Sequence, residues 1–217
     1  MGEAIDLLKT TRLAAIVQSP DREDLIARAL AAAKGGIRLL ALPISVPFVA
    51  EIAAEISDAA DVVVGLSDIV LADQLNVALA AGAEFVISPV FDPELIKTGH
   101  ARGLDVLPSV TTANELRSAR RDYDGMIAIA PAQAVGGPAY VGWLAKSVGD
   151  TSLVAFGGIG SDTAPQYLED GAVAVVVDKG LFPDEPDPEA NAVIGMRAEA
   201  LVELCASAVA GERQSVS

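Results

Sequence analysis

The sequence predicts a (β/α)8 TIM barrel, preceded by a short N-terminal helix, on three observations. Apolar runs alternate eight times with segments of helical spacing. The 217 residues suit a single domain, and such a barrel can be built from about 200. The chain is 52% apolar but only 4% aromatic, so its core is packed from Val, Ile, Leu and Ala. That is the habit of a parallel sheet buried on both faces, whose strands read as unbroken apolar runs.

The eight runs are Leu13–Val17, Ile37–Leu42, Asp61–Leu66, Glu84–Ser88, Leu104–Pro108, Gly125–Ala130, Ser152–Phe156 and Ala172–Val177. Between the first two, Leu25, Ile26, Ala29, Leu30 and Ala33 share one helical face. Helix starts carry capping chemistry: Asp21, Asp92 followed by Pro93, and a Thr112 to Glu115 capping box. Glycines follow several helices, among them Gly82, Gly103 and Gly171. A short helix over Ala4–Lys9 is expected to plug the bottom of the barrel. The longest connection, Asp178 to Pro188, carries three prolines. One barrel domain over 1–210 and a frayed tail over 211–217 complete the expected organisation.

Composition narrows the partners. A formal charge of −15 disfavours nucleic acid and anionic lipid, whose phosphates require a basic surface. The mean hydropathy is +0.42, yet the longest apolar stretch, Leu39 to Ala50, is interrupted by Pro43, Ser45 and Pro47. It falls short of the roughly 20 residues a membrane span needs. The N-terminus lacks a basic region followed by an apolar run, so no signal peptide is expected. A single cysteine, Cys205, forms no internal disulfide and fits a cytoplasmic chain. One His and one Cys make a zinc site from this chain improbable, and no metal or cofactor is expected.

In such barrels the chemistry collects at the C-terminal ends of the strands. The sharpest local signal there is Gly157-Gly158-Ile159-Gly160 after the seventh run, followed by Ser161 and Asp162. Glycines let the backbone approach an anion, and free N–H groups at a helix start hold it. The amides of Gly158 to Ser161 are accordingly expected to face the mouth. The plainer alternative is a tight turn with Asp162 as helix cap. Asp68 and Asp178 end the third and eighth runs, with Lys179 beside the latter. As functional groups the two carboxylates are candidates to hold a divalent cation or to act as a base, and with Lys179 they form the candidate catalytic set; as structural groups, the aspartates are caps. Ser109, Thr111 and Gln133, at other strand ends, join the candidate anion-binding set. His100 sits near the far end of a helix, away from the mouth.

Several motifs together resemble one family over roughly Thr10 to Phe182. Gly35 to Leu40 looks like that family's approach to its second strand. Ala81 to Pro89 is similar to its "AGAxFxxSPG", and Leu107 to Glu115 resembles "xPGxxTxxE". Pro131-Ala132-Gln133 with Gly136-Gly137 resembles "FPAExxGG", and Phe156 to Ile159 resembles "TGGI". The family is that of the 2-keto-3-deoxy-6-phosphogluconate (KDPG) and 4-hydroxy-2-oxoglutarate (KHG) aldolases. The resemblance implies a barrel, an aldehyde-lyase ancestry and a homotrimer.

The departures fall on the chemistry. Such class I aldolases form a Schiff base between a strand-six lysine and the substrate keto group. By resemblance that lysine falls at Ala128, the proton-shuttling glutamate of strand two at Ala41, and the carboxylate-gripping arginine at Ser45. The strand-eight "GGS" of the phosphate cup falls at Val177-Asp178-Lys179. Of the five lysines, Lys9, Lys34, Lys97, Lys146 and Lys179, only Lys179 is expected at the mouth. The expected function is therefore a barrel without class I aldolase chemistry, binding a small anion or serving as a structural homo-oligomer. The alternative is an enzyme with a rebuilt site of Asp68, Asp178 and Lys179 acting on a phosphorylated or carboxylated metabolite. Retained cleavage to pyruvate is the third reading.

Overall fold

The computed structural model describes residues 2–149, 152–183 and 190–214. Its strands are β1 (Leu13–Ile16), β2 (Leu39–Pro43), β3 (Val63–Ser67), β4 (Phe85–Ile87), β5 (Asp105–Leu107), β6 (Ser109–Val110), β7 (Ile127–Ile129), β8 (Leu153–Phe156) and β9 (Ala174–Val177). All neighbouring pairs are parallel, in the order β5-β4-β3-β2-β1-β9-β8-β7-β6. The two ends of that order are adjacent in sequence. β5 and β6 are halves of one fifth strand broken at Pro108, and they close the sheet into a (β/α)8 barrel. The β5 half pairs with β4, and the β6 half pairs with β7. Pro108 has no N–H to give, but its carbonyl accepts from Ala128 at 2.8 Å across the seam.

The helices are α1 (Glu3–Thr11), α2 (Arg22–Lys34), α3 (Val49–Ala59), α4 (Leu75–Ala80), α5 (Pro93–Ala101), α6 (Ala113–Ala119), α7 (Gly137–Val148), α8 (Ala164–Glu169) and α9 (Asn191–Gln214). The local signals set their starts as expected. Asp21 accepts from the Asp24 N–H, Asp92 from that of Glu94, and Thr112 and Glu115 form a capping box. α8 differs. A turn over Gly160–Thr163 intervenes, and the helix begins at Ala164 rather than at Ser161-Asp162, with Thr163 as its cap residue. α9 runs to Gln214; residues 215–217 of the expected tail and Asp184 to Pro188 of the last connection lie outside the described residues.

Alternation along each strand divides the core in two. Leu40, Leu42, Leu66, Val86, Val106, Ile127, Ile129 and Val175 face outward and pack under the helices. Ala14, Ile16, Ala41, Phe85, Ile87, Leu107, Ala128, Val154 and Val176 face inward and fill the barrel. Each large aliphatic side chain so buried contributes about 1.5–3 kcal/mol. Three of these inward residues are alanines, and Phe85 is the largest of the set. Its ring lies where a Cβ on Gly65 would sit, 2.6 Å away, so β3 requires glycine there.

The bottom is sealed. α1 inserts Ala4, Ile5 and Leu8 into the inward cluster, as the sequence led one to expect. The buried Asp105 carboxylate, at the lower end of β5, accepts from the N–H groups of Gly2 (2.8 Å) and Ile5 (3.1 Å). That satisfies two amides of a helix start that would otherwise be unpaired inside the protein. Arg12, in a left-handed conformation after α1, donates to the carbonyls of Val173 and Ala172. With this end shut, access is from the C-terminal ends of the strands.

Candidate functional site

A cavity of about 500 Å3 opens at the C-terminal ends of β1, β2, β3 and β9. Gln18, Ser45, Asp68, Asp178 and Lys179 all contribute to its lining. Asp68 follows β3 in a left-handed conformation (φ 64°), and its carboxylate accepts from the Ser67 hydroxyl at 3.1 Å. Lys179 is exposed, and its amine makes no ion pair among the described residues. Its backbone N–H donates to the Ile159 carbonyl at 3.1 Å, which aligns the segment after β9 with the loop after β8.

Asp178 is already engaged. Its two carboxylate oxygens accept from the N–H of Gly158 at 3.0 Å and from that of Ile159 at 2.8 Å. Hydrogen bonds to an ionised group contribute about 1.5–3 kcal/mol each. Gly157 and Gly158 reach this arrangement with φ of 97° and 78°, which other residues rarely adopt. Close approach adds a second reason for glycine: a Cβ on Gly157 would lie 2.9 Å from Pro131 Cα, and one on Gly158 3.0 Å from Gln133 Cβ. The Gly160 N–H points to Thr163 Oγ1 at 3.2 Å. Three of the four amides expected to face the mouth thus have acceptors within the chain. The cap reading of Asp178 describes its contacts well, although what it caps is a glycine turn rather than a helix.

Behind the turn, the buried Tyr167 hydroxyl donates to Gln133 Oε1 at 2.8 Å. Burial raises the Tyr167 pKa, and the Asp178 carboxylate adds to the effect. Gln133 therefore buttresses the glycine turn and lines neither the mouth cavity nor the one beside β6.

One wall residue escaped the sequence reading. Arg28, on α2, is buried, and its guanidinium lies against the Asp24 carboxylate one turn earlier. It donates to the carbonyls of Gln18 at 2.9 Å and Pro183 at 2.8 Å, tying the β1–α2 loop to the segment after β9. Ser19 donates to Asp24 at 2.6 Å. The sequence offered one local signal: an acid and a base four residues apart, the spacing of an ion pair on a helix.

Ser109 and Thr111 belong elsewhere. They line a second cavity of about 410 Å3 between the β4–α5 loop, β6 and α6. The buried Ser109 hydroxyl donates to the Ser88 carbonyl at 2.6 Å, and that of Thr111 to the Ala130 carbonyl at 2.7 Å. Glu115 caps α6 at the rim, and the N–H groups of Thr111 and Thr112 hold its carboxyl below the usual range. His100 is exposed on α5 and stacks on Tyr123.

The barrel interior bears on aldol chemistry. Ala128 and Ala41 are fully buried in the inward cluster, and no lysine is buried among the described residues. Lys9, Lys34, Lys97 and Lys146 lie on α1, α2, α5 and α7. Ser45 stands exposed at the cavity rim.

No helix among the described residues is long and apolar enough to cross a membrane. Comparison with known proteins places the chain. It is 30% identical over 164 residues to a 2-dehydro-3-deoxy-phosphogluconate aldolase of Treponema pallidum (strain Nichols), covering 75% of this chain and 78% of that one. The KDPG aldolase structure of Zymomonas mobilis ATCC 29191 superposes with a TM-score of 0.80 at 24% identity, over 91% of this chain and 97% of that one. A KDPG aldolase of Legionella pneumophila, solved with pyruvate captured as a covalent carbinolamine intermediate, superposes with a TM-score of 0.71 at 23% identity, over 90% and 93%. The model of the KDPG and KHG aldolases matches residues 4–192, and the chain belongs to that family.

Proposed function

We propose that this protein is a family member released from class I aldolase chemistry, whose mouth cavity binds a small anionic metabolite. The observation that carries this reading is the apolar barrel interior. At the positions that by resemblance hold the Schiff-base lysine and the proton-shuttling glutamate stand Ala128 and Ala41, both fully buried. Methyl groups neither attack a carbonyl nor move a proton. Lys179, with no ion pair among the described residues, supplies the cation for the metabolite's anionic group. The protein works in the cytoplasm as a homo-oligomer, a trimer by family resemblance. Exposed Phe48 and Leu71, on the loops after β2 and β3, support an apolar contact between copies.

Borohydride reduction in the presence of pyruvate, read by mass spectrometry, tests the proposal, with KDPG cleavage assayed in parallel. The wild type is expected to give neither adduct nor cleavage. Ala128→Lys places an amine in an apolar interior, where desolvation depresses its pKa and makes it nucleophilic. That variant is expected to trap pyruvate without appreciable cleavage. Cleavage is expected only when Ala41→Glu and Ser45→Arg are added, since these return a proton shuttle and a partner for the carboxylate. Ordinary enzymatic cleavage of KDPG by the wild type overturns the proposal.

A second reading has its own observation: Asp68, Asp178 and Lys179 all line one cavity. These are the parts of a rebuilt site acting on a carboxylated or phosphorylated metabolite. Turnover of such a metabolite that is lost in Lys179→Met would select this reading over simple binding.

A further inference from the structure

The glycine turn after β8 has the form of an anion receptor. Two successive N–H groups converge, and the backbone bends through two left-handed glycines to aim them. What they hold is not a ligand but the chain's own Asp178, one carboxylate oxygen on each amide. The turn is also braced from behind. Gly157 lies against Pro131, Gly158 lies against Gln133, and Tyr167 fixes the Gln133 amide. Its shape thus depends on packing as well as on Asp178.

We propose that Asp178 is the specificity-determining residue of the mouth cavity: its carboxylate fills the amide pair that would take a phosphoryl group, and so confines the cavity to unphosphorylated ligands. This rests on the reading of the cavity as a metabolite site. A phosphoryl group entering the turn has to displace an acid that is tethered beside it and cannot diffuse away. Once displaced, that acid remains a few ångströms off as a like charge in a half-buried setting. Lys179, one residue on and exposed, is left for an anionic group elsewhere in the cavity.

The test is a titration with inorganic phosphate, followed by the 15N amide resonances of Gly158 and Ile159 at constant ionic strength. In the wild type these two resonances are expected to show no saturable shift at tens of millimolar phosphate. Asp178→Ala is expected to bind at least about tenfold more tightly, at those same two amides. Asp178→Asn, which keeps one oxygen acceptor and loses the charge, is expected to fall between them. Saturable phosphate binding at the two amides of the wild type overturns the proposal. So does an affinity in Asp178→Ala no higher than in the wild type. Should Asp178→Ala fail to fold, Asp178→Asn decides by the same criterion. A parallel titration with pyruvate, read at the Lys179 side chain, keeps the two readings apart. Its failure removes the metabolite site and leaves the phosphate result standing.

Discussion

On the β1–β3 and β9 side of the mouth, among the described residues, Lys179 stands exposed without an ion pair and Asp68 is bonded by a neighbouring hydroxyl. On the β4–β6 side the polar groups are occupied by the fold: Ser109 bonds the Ser88 carbonyl, Thr111 the Ala130 carbonyl, and Glu115 the start of α6. Both cavities are of similar size and sit at strand ends. Position at the mouth does not make a residue functional. What separates Lys179 and Asp68 from these groups is whether a polar group's bonding capacity is already spent on holding a loop.

That comparison is tested most severely at Arg28, which lines the first cavity yet, like Asp178, has its bonding capacity spent on the fold. Arg28→Met leaves Asp24 buried without its cation and frees two loop carbonyls. A loss of about 3–5 kcal/mol is expected in urea unfolding, with much of it recovered by adding Asp24→Leu. A loss of less than about 1 kcal/mol would mean that the cavity wall does not depend on this pair.

A smaller effect is expected at Glu115. Its carboxyl pKa is lowered in the fold because the charged form accepts two backbone N–H groups. Its contribution to stability is therefore fully present above the unfolded-state value of 4.5, and disappears as pH falls through the lower folded-state value. Glu115→Ala should cost about 1 kcal/mol at neutral pH, as lost caps do. Urea midpoints of wild type and variant should converge on acidification. A gap that stays constant with pH would show that the carboxylate is not the source.

Lys179 sharpens the contrast from the other side. Lys179→Met should leave stability within about 0.5 kcal/mol, since nothing in the described structure depends on its charge. It should abolish binding of whatever small anion the cavity takes, read by calorimetry with metabolites that co-purify with the wild type. A large loss of stability would place Lys179 among the structural residues.

The sequence carried the barrel because its evidence is local. Runs such as Leu39 to Leu42 and Ala172 to Val177 are apolar throughout because both faces of each strand are buried. Asp21, Asp92 and Thr112 cap helices with groups two or three residues away, which a linear reading can see. The inward direction of Ala128 was legible for the same reason, since side chains alternate along a strand. α8 was misplaced because the Thr163 hydroxyl competes for the backbone at Gly160 and inserts a turn before the helix begins.

The sequence by itself determined the periodic elements, their caps and the parity of each strand, because these follow from spacing and from contacts a few residues long. Only the tertiary structure decided which strand ends share a cavity. Asp178 meets Gly158 because β8 and β9 lie side by side, bringing residues 20 apart within hydrogen-bonding distance. Ser109 and Thr111 are parted from Lys179 because the sixth and ninth strands do not pair. Arg28 reaches Pro183 across 155 residues. Such pairings depend on how a closed sheet brings distant strand ends around its rim, and no local pattern of residues encodes that distance.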